Sequence, residues 1–365
     1  MKRYGLFILT SLMTFTACGE SNPPLEVEID PVDSSQIKVH SDGVSAFYNS
    51  SAYDYTDARN VYPQVDAHTN LGNNLPIHLS WKSNDTSANL KLVLDDSVQK
   101  LEYTVKGEGF DFYNYKLNTT YSAHIEYGNY ISKAISFVAP NGFVRTINVE
   151  GVDNFRDLGG YGGIKQGLLY RSLTFENNTI TGAKYTEITS NGIKELHNLG
   201  IKSEIDVRKE DERGDKYGTI SGINYVFKPL TYGGNNVMTY KDNLANLKDI
   251  FDYMANRNNY PMVFHCIRGT DRTGAIAIVL KGLLGVEEEF LKKDFIFSDF
   301  YNIGSPVRLE SIQHANPAAD KLMNSLKAAE GDTLQEKIYN FLQSKIGVSK
   351  ENIDSIIDIL KESNE

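Results

Sequence analysis

The chain has 365 residues, of which 41% are hydrophobic, and its formal net charge is -10 at pH 7. This length exceeds the usual size of one domain, so we expect two. The negative charge excludes a general basic surface for nucleic acid, and any affinity for phosphate must therefore be local.

The first 18 residues have the pattern of an export signal. Met1-Lys2-Arg3 is a basic start, and Tyr4 to Ala17 is a mostly apolar stretch too short to span a membrane comfortably. Small residues before Cys18 resemble a bacterial lipobox, in which Cys18 becomes the acylated first residue of the mature chain. We therefore expect an exported bacterial lipoprotein, membrane-anchored and facing the periplasm or the cell surface, with a simple cleaved signal as the alternative. Residues 19–27 are predicted to be a tether.

Residues 28–140 are predicted to form a small all-β sandwich domain, because short β-type runs alternate with turn residues. The runs are Pro76–Trp81, Leu90–Leu94, Leu101–Val105, Tyr113–Leu117, Tyr121–Tyr127 and Ile131–Val138. Residues 28–74 are predicted to be loops with an edge strand. Trp81 and the turn from Leu117 to Tyr121 resemble a fibronectin type III or immunoglobulin-like module, which would serve as a spacer or a docking surface.

Residues 141–365 change to strands separated by helix-length segments, which predicts an α/β domain. The predicted elements are a helix at Thr189–Leu199, a strand at Ile201–Val207, a helix at Asn243–Asn256, a buried strand at Tyr260–Phe264 and a helix at Thr273–Leu284. Three amphipathic helices follow, at Ala318–Ala329, Leu334–Ile346 and Lys350–Lys361. We expect these last helices to cover one face of the sheet.

The loop between the predicted buried strand and its helix carries the chemistry. It begins at His265 and Cys266, continues as Ile267-Arg268-Gly269-Thr270-Asp271, and ends at Arg272-Thr273-Gly274. A loop in this position directs backbone N–H groups and the positive end of a helix dipole at whatever lies above Cys266. These groups stabilise a thiolate, the nucleophilic form of cysteine. Position alone favours an inert core thiol, but an arginine at this spacing and the following Thr-Gly favour a catalytic one.

Each residue of the loop has a predicted role. Cys266 is the nucleophile, Arg272 binds two phosphoryl oxygens with its planar fork of donors, and Asp271 protonates the leaving oxygen. The predicted phosphate-binding set is Ile267, Arg268, Gly269, Thr270, Asp271 and Arg272. His265 is expected to orient the loop and tune the thiolate, and Thr273 to donate its hydroxyl to the sulfur. Together these residues would hydrolyse a phosphate monoester through a cysteinyl-phosphate intermediate. This reaction needs no metal and no cofactor, and the sequence contains no metal-ligand cluster.

The loop resembles the His-Cys-(five residues)-Arg-Thr/Ser-Gly signature of the protein tyrosine and dual-specificity phosphatases. A second block resembles a bacterial branch that includes secreted mycobacterial and listerial enzymes. Its parts are Asn154-Phe155-Arg156-Asp157-Leu158-Gly159-Gly160, Leu169-Tyr170-Arg171-Ser172, Asp206-Val207-Arg208 and Glu212. The resemblance covers about Thr146 to the C-terminus, and it implies a tyrosine-phosphatase-like central sheet flanked by helices, with Asp271 as the general acid.

The sequence departs from this branch at two positions of the loop. Many relatives have a lysine where this chain has Thr270, and a small residue is common where it has Arg268. The lysine is associated with phosphoinositide activity in that branch, so its absence weakens a lipid-phosphatase interpretation. Arg268 would restore the charge if its side chain points inward.

Several residues of the second block are predicted to support the loop rather than to react: Asn154, Arg156, Asp157, Asp206 and Arg208. We expect Arg156 and Asp157 to form an ion pair that fixes their segment beside the loop, with direct catalysis as the alternative. Asp206 ends a predicted strand and has the same two possible roles. Arg208 and Glu212 are either a solvated pair or a support for the loop.

We therefore expect a cysteine-dependent protein tyrosine phosphatase, with dual specificity left open, that acts through a cysteinyl-phosphate intermediate. The expected partners are a phosphorylated protein or a small phosphate ester and, through the lipid, the membrane, but no nucleic acid. A phosphoinositide or inositol-phosphate phosphatase on the same fold is the alternative. A non-catalytic surface binding protein is a weaker one, because such a protein does not need Cys266, Asp271 and Arg272 together. Tyr232, Gly233 and Gly234 are either a mobile rim or a plain surface loop.

Overall fold

Six stretches of the chain are described by the structure, a computed structural model: residues 25–49, 72–176, 187–213, 220–232, 236–301 and 317–362. Cys18, the predicted export signal, Gly233 and Gly234 lie outside the described residues, so the lipid anchor stays a prediction. Within those six stretches, no helix is both long and apolar enough to cross a bilayer.

Eight strands between residues 27 and 139 form two antiparallel sheets. They are β1 Val27–Ile29, β2 Ile77–Ser83, β3 Leu90–Asp95, β4 Lys100–Val105, β5 Gly109–Phe112, β6 Thr119–Tyr127, β7 Tyr130–Ile131 and β8 Ile135–Ala139. One sheet has the order β1-β2-β5 and the other β4-β3-β6-β7, in which β8 also pairs with β6. Alternate residues of β2 and β6 are buried, and Trp81 is in the core that they form. The predicted sandwich is therefore confirmed, and its resemblance to a fibronectin type III module stays a prediction.

The predicted strand at residues 113–117 is wrong. The strand lies earlier, at β5, which pairs with β2. The carbonyl groups of Asn114 and Tyr115 instead accept hydrogen bonds from the guanidinium of Arg145, both at 2.8 Å. The backbone carbonyls of this segment are thus hydrogen-bonded to a side chain from another part of the chain rather than to a neighbouring strand. The predicted run Ile131–Val138 is divided between β7 and β8.

The remaining strands form one six-stranded sheet with the order β13-β12-β14-β11-β10-β9. They are β9 Arg145–Thr146, β10 Arg156–Asp157, β11 Leu169–Ser172, β12 Ser203–Asp206, β13 Asn224–Phe227 and β14 Met262–His265. The first four strands in that order are parallel, and β10 and β9 are antiparallel additions. Every residue of β14 is buried, as expected for a strand covered on both faces.

Eight α-helices are described: α1 Asp42–Asn49, α2 Ser190–Asn198, α3 Leu244–Met254, α4 Asp271–Leu283, α5 Glu288–Ile296, α6 Pro317–Lys327, α7 Leu334–Phe341 and α8 Lys350–Leu360. The predicted helices of the α/β part are confirmed, apart from shifts at their ends. α4 follows β14 and is buried from Arg272 to Leu283, which suits its apolar sequence. The predicted helix at Leu334–Ile346 ends as a π-helical turn after Phe341.

The sandwich and the α/β part share a polar contact. Arg145 binds the Asp157 carboxylate at 2.6 Å while its other donors hold the carbonyls of Asn114 and Tyr115. The Gln166 side chain accepts from the N–H of Leu117 at 2.8 Å and donates to the carbonyl of that residue at 2.9 Å. Side chains of the α/β part therefore satisfy backbone groups of the sandwich where the two parts meet.

Helix α1 was not predicted, and it packs on the α/β part rather than on the sandwich. Its buried residues Val44, Phe47 and Tyr48 belong to the same hydrophobic cluster as Phe297 and Phe300. The domain boundaries at residues 28, 140 and 141 stay a prediction.

Candidate active site

Three parallel strands end at one level beside the loop. Ser172 of β11 and Asp206 of β12 are both register partners of His265, the last residue of β14. The segments that follow these strands therefore begin on one line at the carboxyl edge of the sheet. This is where ligands bind in sheets of this kind.

The loop from Cys266 to Thr270 is held by its carbonyl groups. The N–H of Thr174 donates to the carbonyl of Ile267 at 3.1 Å, and the Asn154 side chain donates to that of Arg268 at 3.0 Å. The Arg171 guanidinium donates to the carbonyl of Gly269 at 2.7 Å. In a planar trans peptide the N–H points opposite to the C=O. The N–H groups of residues 268, 269 and 270 are consequently turned away from these three donors. We call this set of N–H groups the cradle, since such a set can bind an anion.

Gly269 is required by both its backbone conformation and its surroundings. Its φ is 69°, in the left-handed region that favours glycine. A Cβ at this position would lie 2.3 Å from the Ser172 carbonyl oxygen. The tight approach of the loop to the end of β11 is therefore possible only without a side chain.

The Cys266 sulfur lies at the base of the loop, and only 3% of the residue is exposed. Burial raises the pKa of this thiol, but the Arg272 guanidinium, followed by the hydroxyl and the backbone N–H of Thr273, outweighs burial, so that the pKa is lower than usual. The Thr273 hydroxyl is buried and makes no hydrogen bond that meets ordinary geometric limits among the described residues. The role expected of Thr273, donation of its hydroxyl to the sulfur, stays a prediction.

Arg272 is on the first turn of α4 and is 7% exposed. Its Nη1 donates to Glu212 Oε2 at 2.5 Å and to the Leu230 carbonyl at 3.3 Å. Burial lowers the pKa of Arg272, but the thiolate, Glu212 and Asp271 together raise it above the usual value. The guanidinium is thus fixed as a cation next to Cys266.

Asp271 is the first residue of α4 and is half-buried. Its charge is close enough to the sulfur to raise the pKa of Cys266, which places the carboxylate at the site. Thr270 is buried, and its hydroxyl has no partner among the described residues. Arg268 is half-buried.

His265 lies behind the loop and is fully buried. One ring nitrogen is 2.9 Å from Glu204 Oε1 and the other is 3.2 Å from the Cys266 carbonyl oxygen. Burial lowers the pKa of His265, but the nearby Asp206 and Glu204 carboxylates raise it above its usual value. Glu204, which the sequence did not single out, therefore helps to keep a positive charge behind the loop.

Asp206 and Arg208 form a buried ion pair. Three guanidinium nitrogen contacts, at 2.8–3.1 Å, join the Arg208 side chain to the Asp206 carboxylate. Burial raises the pKa of Asp206, but His265 and Arg208 lower it to about 2. The second partner of Arg208 is Glu176, at 3.1 Å, whereas Glu212 binds Arg272. Of the two possibilities predicted for Arg208 and Glu212, the solvated pair is therefore not formed, and Glu212 contacts a residue of the loop instead.

The expected ion pair between Arg156 and Asp157 is also wrong. Neighbouring residues of a strand point to opposite faces of the sheet. Asp157 pairs with Arg145 on one side, whereas Arg156 donates to the Asp294 carbonyl at 2.9 Å and to Ser298 Oγ at 3.0 Å on the other. Both residues are structural, but with different partners.

No group of three or more His, Cys, Asp or Glu side chains is placed to hold a metal ion within the described stretches. The site brings together the Cys266 thiol with its lowered pKa, the Arg272 guanidinium, the Asp271 carboxyl group and the cradle of backbone N–H groups. Together these can bind a phosphoryl group and exchange its ester oxygen for sulfur.

Comparison with known proteins gives a family and two similar structures. The catalytic core of the PP-IP phosphatase SIW14 from S. cerevisiae, in complex with citrate, is 16% identical, with a TM-score of 0.29, over 45% of this chain and 93% of that one. TpbA from P. aeruginosa, in complex with pTyr, is 14% identical, with a TM-score of 0.31, over 51% of this chain and 96% of that one. No curated protein matches the chain. The model of the tyrosine phosphatase family matches residues 147–363, which is more than half of the sequence and includes the whole loop. The chain therefore belongs to the tyrosine phosphatase family.

Proposed function

We propose that this phosphatase hydrolyses phosphate monoesters through a cysteinyl-phosphate intermediate, with phosphotyrosine in proteins as its favoured substrate. The observation that supports the mechanism is a buried thiol whose pKa is lowered by Arg272, at the base of a loop whose N–H groups face one side. A thiolate in that position is both nucleophilic and aligned with a bound phosphoryl group.

The reaction has two steps. Sγ of Cys266 attacks phosphorus while the bond from phosphorus to the leaving oxygen breaks, and Asp271 gives its proton to that oxygen. The Asp271 carboxylate then takes a proton from a water molecule whose oxygen attacks phosphorus, and the phosphorus–sulfur bond breaks with its electron pair returning to sulfur. Arg272 and the cradle stabilise the charge of the phosphoryl group in both steps.

Tyr232 supports an aryl phosphate as substrate. It lies two residues after Leu230, whose carbonyl oxygen accepts a hydrogen bond from Arg272 at 3.3 Å. Two residues of chain span at most about 7 Å, so Tyr232 is close to the phosphate site. The residue is 40% exposed, and an aromatic ring near the site can pack against the phenol ring of a substrate.

Arg268 favours a second candidate, a phosphatase of inositol phosphates or phosphoinositides. Arg268 is half-buried within the loop, and an arginine whose side chain faces the pocket would bind the second phosphate of such substrates. Comparison of turnover on phosphotyrosine peptide, phosphoserine peptide, phosphoinositide and inositol polyphosphate distinguishes the two, with Cys266→Ser as the blank. Higher kcat/KM on the inositol compounds would overturn the phosphotyrosine assignment, and activity that survives in Cys266→Ser would overturn the mechanism.

The role of Asp271 has its own test. Asp271→Asn cannot protonate the leaving oxygen, so it should slow hydrolysis of esters with poor leaving groups by about 100-fold or more and that of activated aryl phosphates much less. Single-turnover rates on phenyl and 4-nitrophenyl phosphate provide the comparison. Equal slowing of both esters would remove Asp271 from the acid role.

A further inference from the structure

A buried cluster of charges lies behind the loop and is centred on Asp294 of α5. Its carboxylate accepts from Arg171 Nη1 at 2.7 Å, from Lys281 Nζ at 3.0 Å and from Arg156 Nη1 at 3.4 Å. All four side chains are at most 8% exposed. Three cations thus surround one carboxylate away from solvent.

Arg171 connects this cluster to the loop. One Nη group donates to Asp294, and the other donates to the Gly269 carbonyl at 2.7 Å. The two Nη groups at the end of the guanidinium therefore make the contacts with Asp294 and Gly269. The Nε of Arg171 has no hydrogen-bond partner among the described residues. The peptide that joins Gly269 to Thr270 is oriented by this second contact, and its N–H belongs to the cradle.

We propose that Asp294 is a positioning residue for the anion cradle: it fixes Arg171, and Arg171 turns the N–H of Thr270 toward the bound phosphoryl group. The proposal rests on the proposed function, because it assumes that the cradle binds phosphate. Asp294 touches no substrate atom in this mechanism, and it acts only through Arg171.

The electrostatics of Arg171 show why it needs this partner. Burial and the neighbouring Arg156 lower the pKa of Arg171 to about 9, whereas Asp294 raises it. Without the carboxylate, two buried arginines and a lysine would repel one another, and the counter-charge that all three contact would be gone. Arg171 would then move or lose its charge, and the Gly269 carbonyl would lose its charged donor.

The packing of α5 keeps Asp294 in place. Gly274, on the first turn of α4, lies so close to α5 that a Cβ there would be 2.6 Å from the ring of Phe295. The residue next to Asp294 is therefore locked against the helix that follows the loop. This contact gives the carboxylate a fixed position relative to the cradle.

A double-mutant cycle tests the proposal. Asp294→Asn removes the charge, and Arg171→Lys keeps the charge but loses the fork, so each should weaken binding of tungstate to the full chain by about tenfold or more. If Asp294 acts through Arg171, the double variant should bind no more weakly than the weaker single variant. Titration calorimetry with tungstate measures all four proteins. Additive losses, which multiply to about a hundredfold, would overturn the proposal.

Lys281→Met is the matched control, since it removes another contact of the same carboxylate without touching the loop. We expect thermal stability to fall in this variant and tungstate affinity to change by less than about threefold. A loss as large as that of Asp294→Asn would show that general damage to the cluster explains the effect. If Asp294→Asn does not fold, Asp294→Glu, which keeps the charge but displaces it, takes its place in the cycle with the same criterion.

A different result would refute the proposed function. An unaltered chain that neither turns over 4-nitrophenyl phosphate nor binds tungstate would refute the phosphatase site. An active, tungstate-binding chain with an additive cycle would refute only the role of Asp294.

Discussion

At the residue scale, the ionisation of the Cys266 sulfur depends above all on its nearest cation. Among the groups that lower the pKa of this thiol, Arg272 has the largest effect and Thr273 the next largest. Without the guanidinium, burial alone would favour the neutral thiol. In the proposed mechanism, the arginine that binds the phosphoryl group therefore also favours the thiolate form of Cys266.

Arg272→Met should raise the pKa of Cys266 by about one unit or more, because an opposite charge within a few ångströms typically has an effect of this size. The midpoint of the rate of alkylation by iodoacetamide against pH measures it. Arg257→Met, which removes an exposed arginine outside the site, is the control and should leave the midpoint unchanged. An unchanged midpoint in Arg272→Met would mean that backbone and hydroxyl donors stabilise the thiolate on their own.

The sequence predicted which residues lie in the loop and singled out Glu212 as a possible support, but it did not indicate that Glu212 pairs with Arg272, and it did not single out Glu204. Cys266, Arg272 and Asp271 are neighbours in sequence, so their spacing is a local signal. Glu212 binds Arg272 from 60 residues away and Glu204 binds His265 from 61 residues away. Such pairs depend on the order of strands in the sheet, which local patterns do not contain.

At the scale of single elements, the loop depends on close contact between its backbone and the end of β11. Gly269 and Gly163 both have φ near 70°, at 69° and 70°, but a Cβ at Gly163 would meet nothing within 4 Å. A side chain at Gly163 would therefore add backbone strain alone, whereas a side chain at Gly269 would add both backbone strain and a steric collision.

Gly269→Ala should reduce turnover by at least about tenfold, because the new methyl group collides with the Ser172 carbonyl and displaces the cradle. Gly163→Ala carries only the strain of the left-handed conformation, about 1–2 kcal/mol, and should leave turnover unchanged. Urea unfolding and kcat/KM of both variants give the comparison. Full activity in a folded Gly269→Ala would show that the loop tolerates the displacement.

The helices that the sequence predicted could be placed because their ends carry local signals, whereas α1 and α5 were not predicted. Thr189 accepts from the N–H of Gly192 and begins α2, and Ser349 accepts from the N–H of Asn352 and begins α8. The failure at residues 113–117 has a different cause. Alternating residues there have the pattern of a strand, but a side chain from the other part of the molecule takes the carbonyls of Asn114 and Tyr115.

At the scale of the whole molecule, the sandwich is fastened to the catalytic part by a buried charge. Arg145 is 2% exposed, and it joins Asp157 of β10 to two carbonyls of the sandwich. Nothing in the sequence near Arg145 indicated this contact, nor the packing of α1 on the α/β part. Both depend on how the two parts dock, which their separate patterns do not encode.

Arg145→Met should lower the free energy of unfolding by about 3–5 kcal/mol, since it leaves the Asp157 carboxylate buried without its partner. Lys91→Met removes a partly exposed ion pair of the sandwich and should cost at most about 1 kcal/mol. Urea denaturation of the full chain measures both. Similar small losses in the two variants would mean that the sandwich and the catalytic part are only loosely joined.

The lowered pKa of Cys266 has a consequence for the lifetime of the enzyme. Peroxides attack the thiolate form of cysteine and convert it to sulfenic acid, which a second thiol can rescue as a disulfide. Cys266 is the free cysteine of the described residues, and the other cysteine of the chain, Cys18, lies outside them. The described part of the molecule therefore supplies no thiol for this rescue. Recovery from oxidation would then need a thiol from outside the described residues, either Cys18 or an external reductant.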